Sequence, residues 1–550
     1  MIRWRIVIVG WIGIWMGFIH VGFSQVRTTE IDSTYWQLSL PELQNHKAYY
    51  MLELQALQEE KRNLIQRGIE DGERLLEMKP NIQVVDKILI RLADLYYYQE
   101  KDEYISQMEL FDRLLEQELI EDLPEEPRLE YERSMQLYQR IIDEFPNSEL
   151  VDDAVYNKGF LFEEMGENQK SNQIYQHLIR AYPESRYVPE AHMRLGEYSF
   201  NPPVNDIHGA IGFYEKVLQY RDNPRYDEAL YKLGWSYYRL SEYPVAISYF
   251  TTLVEGSHAI EQIDELALSV RADLREEAVE YIAISFIDFG GPFKLRKYLQ
   301  GIGEPAWGWD ALKKLGDIYM QEKEEYVDAI AAYQTLLAYA PNAPEAPLIQ
   351  RKIVDCYHVL NDETQAFNFR QELFLTYKTD GNWWNEMTDD TAKLLAYKLA
   401  EQALRENINS LIKRAEELSS DALYQEAVDQ GKMYLETFPE ELHAYMIRWN
   451  MALILDTKLN SYKEALQEYL TICMVYHNKE YETFAREKGL SSLKDAAENA
   501  IVVADSVVQR DWRSANDDQS AQQGNGAEEP QPLTAAESWL AMAYDNYIKL

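Results

Sequence analysis

Two cysteines in a chain of 550 residues exclude a disulfide-dense scaffold. Glycine and proline are also sparse, 24 and 19 in all, which argues against a turn-rich sandwich or barrel. Basic residues are outnumbered: 54 Lys and Arg stand against 93 Asp and Glu, a formal charge of −39. Nucleic-acid affinity rests on cations that neutralise phosphate, so this carboxylate excess excludes that class of partner. Signatures of chemistry are missing too. There is no HExxH, paired CxxC or GxSxG, and the GIG at Gly301 to Gly303 has neither the strand before it nor the later glycine of a phosphate loop. The nine histidines contain no i, i+4 pair for zinc, and no loop has the D-x-D-x-D-G spacing of a calcium site. The expectation is a chain that is not an enzyme and carries no cofactor or metal.

The charged and reactive residues that remain have structural readings. Asp152/Asp153, Glu163/Glu164 and Glu324/Glu325 read as helix-start and solvent-face charges. His192 falls on an apolar face and reads as a packing residue. Cys356 and Cys473, in separate helical segments, read as buried free thiols.

A hydrophobic fraction of 46%, with 40 Tyr and 12 Trp, is ample for a core, and the length corresponds to three or four compact units at roughly 150 residues each. At the N-terminus, Arg3 and Arg5 precede the uncharged stretch from Ile6 to Ile19, and small residues follow at Gly22 and Ser24. That is the layout of a secretory signal cleaved before Gln25, with an uncleaved inner-membrane signal anchor as the alternative. The expected compartment is the bacterial periplasm or the outer-membrane surface.

Beyond this leader the sequence repeats. In EALYKLGWSYYRLSEYPVAISYFTTL, from Glu228 to Leu253, Leu230, Leu233, Gly234 and Tyr237 mark one face of a first helix. Ala246, Phe250 and Leu253 mark a second, and Pro244 sits where a helix start tolerates it. Gly159, Gly196, Gly234 and Gly316 recur in DAVYNKGFLF, EAHMRLGEYS, EALYKLGWSY and DALKKLGDIY, with Ala283 in the same place in EEAVEYIAISF and Asp355 in LIQRKIVDCYHVL. Second helices follow as Ser171/Tyr175/Leu178, Ala210/Tyr214/Val217, Ala246/Phe250/Leu253, Ala329/Tyr333/Leu336 and Ala465/Tyr469/Ile472, with helix stops at Pro146, Pro183, Pro341 and Pro439. A small residue on each helix lets the backbones approach, and a ring from the second helix fills the layer between them.

These residues resemble the tetratricopeptide repeat, a family of helix-turn-helix solenoids. The resemblance covers Tyr131 to Tyr377 and, more loosely, Tyr434 to Leu550. His192 and Lys158 depart from its apolar consensus, and Asn201 to Asp206 inserts a turn. With FP or YP at the junctions, the longer repeats are similar to those of bacterial envelope proteins of the BamD, YbgF and CpoB kind. The implied fold is all-α, a right-handed superhelical solenoid of helix-turn-helix repeats. The expected organisation is a signal peptide over 1–24 and an N-terminal helical region over 25–120, in which Leu92 to Leu115 reads as a degenerate repeat. The regular array follows over 128–378, with an extra helix within Glu255 to Arg271. Further repeats span 379–512, opening on a hinge or insertion at Asp380 to Asp390. A disordered polar loop covers 513–533 and a terminal helix 534–550. That last helix ends on an apolar residue, as in a truncated array or one docked on another molecule.

In tetratricopeptide proteins one face of the first helix lines a concave groove where peptides or partner helices bind. Here Tyr231, Trp235 and Tyr238 fall at i, i+4 and i+7 beside Arg239, and Tyr156 and Phe160 take matching places in an earlier repeat. Aromatic and arginine side chains are common interface anchors, which makes these six the candidate partner-binding residues. The alternative is that the rings pack between adjacent repeats. The expected function is a non-catalytic interaction scaffold of the cell envelope, with outer-membrane association through a protein partner. Binding of peptidoglycan or polysaccharide, or service as an accessory domain of a longer enzyme, are the alternatives.

Overall fold

The computed structural model describes residues 40–116, 125–256, 265–519 and 534–549. The leader over 1–24 and the polar stretch 520–533 therefore lie outside the described residues. Every described element is helical, and they fall into two compact units, Met1–Tyr198 and Ser199–Leu550.

The first unit begins with two long helices, α1 (Leu40–Glu77) and α2 (Ile82–Glu116). Shorter ones follow: α3 (Glu132–Glu144), α4 (Val151–Glu164), α5 (Asn168–Ala181) and most of α6 (Val188–Phe200). Leu92 to Leu115 lies inside α2, so the region expected as a degenerate repeat is one unbroken helix. Its sequence has neither glycine nor proline to form a turn. Buried Leu89 and Ala93 of α2 pack with Tyr138 and Ile141 of α3 and with Ala154 and Leu161 of α4. Polar groups are matched across the same layer: Ser134 Oγ donates to the Ala93 carbonyl at 2.8 Å, and Tyr138 OH donates to Asp94 at 2.7 Å.

The second unit continues with α7 (Ile207–Val217), α8 (Arg225–Arg239), α9 (Tyr243–Glu255), α10 (Glu265–Asp288) and α11 (Gly291–Gly301). Next come α12 (Gly308–Asp317), extended by a π turn over Ile318–Glu322, then α13 (Tyr326–Tyr339), α14 (Ala346–Val359) and α15 (Glu363–Tyr377). The remainder is α16 (Asn382–Glu386), α17 (Asp390–Leu418), α18 (Asp421–Thr437), α19 (Leu442–Thr457), α20 (Tyr462–Val475), α21 (Lys479–Lys488), α22 (Leu493–Gln519) and α23 (Ala535–Lys549). Within each unit, helices pack chiefly on their sequence neighbours, the arrangement of a helix-turn-helix solenoid.

The small-residue and ring code holds at atomic distance. A Cβ built on Gly159 would lie 2.8 Å from Tyr175, and one on Gly234 or Gly316 would lie 2.5 Å from Phe250 or Tyr333. All fifteen positions of the five second-helix triplets are 2% exposed or less. The hairpin turns share a form. Ser241 and Asn361 take φ of 60° and 57°, and the next residue's N–H reaches back five positions, Glu242 to Tyr237 and Asp362 to Tyr357. This is the Schellman closure that satisfies a helix's last carbonyls. Helices α3, α5, α13 and α18 each stop two residues before a proline, at Glu144, Ala181, Tyr339 and Thr437. Proline disfavours the α conformation in its predecessor, and Phe145 and Tyr182 accordingly carry ψ of 50° and 62°.

Other segments fill in around the array. The stretch 257–264 lies outside the described residues, and α10 begins at Glu265. Asp380 to Asp390 contains the short α16, whose Trp383 is buried edge-on against Tyr377 at 5.3 Å and donates Nε1–H to the Ala343 carbonyl at 3.3 Å. That indole anchors the segment to the core. Arg513 to Gln519 continues α22, where a loop was expected.

Candidate partner-binding face

Helix α8 turns two faces toward other helices. Leu230, Leu233 and Gly234 are buried, and Gly234 admits Phe250 of α9. The second face carries Tyr231, Trp235 and Tyr238, all half-buried, and its neighbour is α10. Trp235 lies 4.3 Å from Tyr281 between ring centres, and Tyr231 meets both Tyr281 and Phe250 edge-on at 6.1 Å. The Tyr231 hydroxyl donates to Glu277 at 2.6 Å. Tyr238 extends the series, 5.9 Å from Trp235 and 5.7 Å from Tyr243. Burial lifts the Tyr281 phenol to about 12, with Glu277 and Glu280 adding to the effect. Burial and the Glu277 bond push Tyr231 up as well.

Arg239 is exposed, and its guanidinium has several partners. It lies 4.5 Å over the Phe200 ring, donates to the Phe200 carbonyl at 3.0 Å, and bonds the Asn205 side chain. A cation at the C-terminal end of α6 suits the partial negative charge of those last carbonyls.

Tyr156 and Phe160 belong to the first unit. Tyr156 stacks on Tyr187 at 4.3 Å with an 8° interplanar angle. Phe160 stands 6.1 Å from Tyr97 and has the Arg194 guanidinium 5.9 Å above it. The three rings on α8 therefore share one face while Arg239 reaches back to the end of α6, and Tyr156 and Phe160 form a separate aromatic group of the same design. In both, each ring gives part of its surface to a neighbouring helix and keeps part open.

A cleft of about 520 Å³ opens between α10 and α12, its walls including Arg275, Glu276 and Glu280 from one and Lys313, Lys314 and Asp317 from the other. Lys314 pairs with Glu280 at 2.7 Å. Asp317 receives Lys352 at 2.5 Å and the Tyr333 hydroxyl at 2.6 Å. Burial raises the pKa of Asp310 on the same wall. Sequence reasoning passed over these residues because Glu and Lys at helical spacing read as solvated faces. Helix α11 separates α10 from α12 in the chain, so no local spacing signals that they adjoin. Together α8, α10 and α12 present aromatic rings, then carboxylates, then lysines: apolar surface for side chains and alternating charge for an extended backbone or for charged side chains. Among the described residues no group of three or more His, Cys, Asp or Glu is placed to hold a metal ion, and no helix is long and apolar enough to cross a membrane.

Residues 153–185 and 228–255, which span most of α4–α5 and α8–α9, match the family model of the tetratricopeptide repeat. These two stretches are tetratricopeptide repeats. No curated protein matches the sequence. Among solved structures, the C-terminal part of a tetratricopeptide-repeat-containing protein from Cytophaga hutchinsonii aligns at 19% identity over 52% of this chain and 94% of its own, with a TM-score of 0.28. A tetratricopeptide repeat protein from Parabacteroides merdae aligns at 13% identity over 55% of this chain and 99% of its own, with a TM-score of 0.22. The matched tetratricopeptide segments include Tyr156, Phe160 and all four candidates on α8.

Proposed function

We propose that this chain is a non-catalytic protein-interaction scaffold of the bacterial cell envelope, holding an extended peptide or partner helix against the aromatic and charged face of α8, α10 and α12. Tetratricopeptide repeats support the general class, and the signal-like leader at Arg3 to Ser24 supports the compartment. The observation that carries the reading is the half-open ring series in which Tyr231 and Trp235 meet Tyr281 and Tyr238 meets Trp235, with the charged cleft one helix away. Rings with one packed face are held rigid, so binding on the other face loses little side-chain entropy. The surrounding excess of carboxylate favours basic partners and speeds their encounter at low salt.

Photocross-linking in the native envelope, with the reactive group placed on α8, tests this directly. The expected result is a defined protein adduct that disappears when Trp235 and Tyr238 are both changed to Ala, while the helical content stays intact. Adducts unaffected by the double change sink the assignment of the face. Retention of the chain on purified cell wall, lost in the same variant, replaces a protein partner with a polysaccharide.

A further inference from the structure

The hairpin of α1 and α2 outruns its own core. The helices close where Gly68 admits Leu95 and Gly72 admits Leu92, and Ile65, Ile69, Leu92 and Tyr96 are buried there. Toward the N-terminal end of α1 the covering stops. All residues from Tyr49 to Leu64 are exposed, and none from Tyr97 to Leu115 on α2 is buried. Yet the sequence there is apolar at intervals of seven. Tyr50, Leu57 and Leu64 mark one stripe on α1 and Tyr98 and Ile105 another on α2, and these five side chains remain 43% to 60% exposed. Lys61 Nζ lies 5.7 Å over the Tyr98 ring, which places the two stripes on one side of the hairpin. Seven-residue spacing is the pattern of helices that pack nearly parallel along their length, and a hairpin with such a face is half of a four-helix bundle.

The pattern on α1 is also self-complementary. About a two-fold axis through Leu57, an antiparallel copy sets Leu57 against Leu57, Tyr50 against Leu64, and Glu53 against Lys61. Each heterologous pair then occurs twice, as a closed isologous contact requires. The stripe from Tyr50 to Leu64 is about 21 Å long at 1.5 Å per residue. Five half-exposed large side chains offer on the order of 500 Å² of apolar surface per protomer, which doubled across the axis reaches the roughly 1,000 Å² that a specific interface needs.

We propose that the chain forms an antiparallel homodimer through α1 and α2, with its axis at Leu57. The contact lies within the first unit and uses none of the residues proposed for the face on α8.

Sedimentation of the full chain gives a dimer. Leu57→Glu sets two carboxylates against each other on the axis and gives a monomer that keeps its helical content, since Leu57 is half-exposed and lies outside the buried cluster of the hairpin. Glu53→Lys and Lys61→Glu each weaken the dimer by about tenfold or more, and the double exchange restores it, because opposite charges again meet. Leu57→Cys yields a disulfide-linked dimer under mild oxidation, whereas Leu52→Cys, on the far side of α1, does not. The buried Cys356 and Cys473 do not compete for that bond. A chain that stays monomeric at concentrations on the order of 100 μM overturns the proposal. So does a dimer indifferent to Leu57→Glu, or a double exchange no better than its single components.

Discussion

Gly234 of α8 and Phe250 of α9 approach so closely that a Cβ on the glycine would fall 2.5 Å from the ring. Phe250 is fully buried, so its ring has nowhere to retreat. Gly234→Leu should therefore overpack the layer and lower stability by about 1–3 kcal/mol. Ala246→Leu, on the opposing helix and equally buried, should do the same. Glu242 is exposed at the N-cap of α9 and makes no side-chain cap bond. Its change to Ala should stay within about 0.5 kcal/mol. Thermal melts of the three variants check the ordering, and equal shifts would contradict the packing assignment.

Arg370 carries a different kind of dependence. It is 2% exposed, and Ala366, Arg370 and Leu373 repeat the spacing at which other second helices place a ring. Its Nε donates to Asn407 at 2.7 Å and its Nη2 to Ser410 at 3.2 Å, while Nη1 lies 2.7 Å from His358 Nε2. A guanidinium has hydrogens to give and no lone pair to offer, so His358 accepts at Nε2 and donates from Nδ1 to Glu363 at 3.0 Å. Arg370→Met keeps much of the volume but strands Asn407 and His358, a loss of about 2–4 kcal/mol. Arg370→Lys should not rescue it, because one ammonium cannot reproduce a three-pronged fork. Hydrogen exchange reports the effect locally, with faster exchange in α14, α15 and α17 and little change in α3 to α5.

These two cases show what the sequence could convey. Gly234 and Phe250 were legible because a glycine inside an amphipathic helix needs a reason, and a ring at matching spacing supplies one. Arg370 was not, since an arginine in the ring position reads as a break in the pattern until Asn407, from a helix beginning 20 residues later, is seen to accept from it. Helix α2 hid a similar difference. A solenoid hairpin and one long helix share a hydrophobic period, and only the missing turn chemistry separates them. At the candidate face the spacing of Tyr231, Trp235 and Tyr238 was readable. The contact of Tyr231 and Trp235 with Tyr281, and the cleft beyond, depend on how α10 meets α8 and α12, which local pattern does not encode.

The thiols give a test that depends on pH. Cys356 on α14 and Cys473 on α20 are both buried and free, and burial pushes each up from the ordinary 9.0 to about 11. For Cys356 the neighbouring Asp355 carboxylate adds to the shift. Only the thiolate is a good nucleophile. At pH 8 the folded chain should resist iodoacetamide at both positions, and the urea-unfolded chain should react at both. The same shifts set the sign of a stability change. A raised acid pKa means that the folded state holds its proton more tightly than the unfolded chain, so the contribution is complete below about pH 9 and is lost as pH rises toward 11. Cys356→Ala removes one of these protons from the balance, and its stability should fall less steeply between pH 9 and 11 than that of the parent. Parallel curves for the two proteins, or rapid labelling of the folded chain at pH 8, would mean that these cysteines face water.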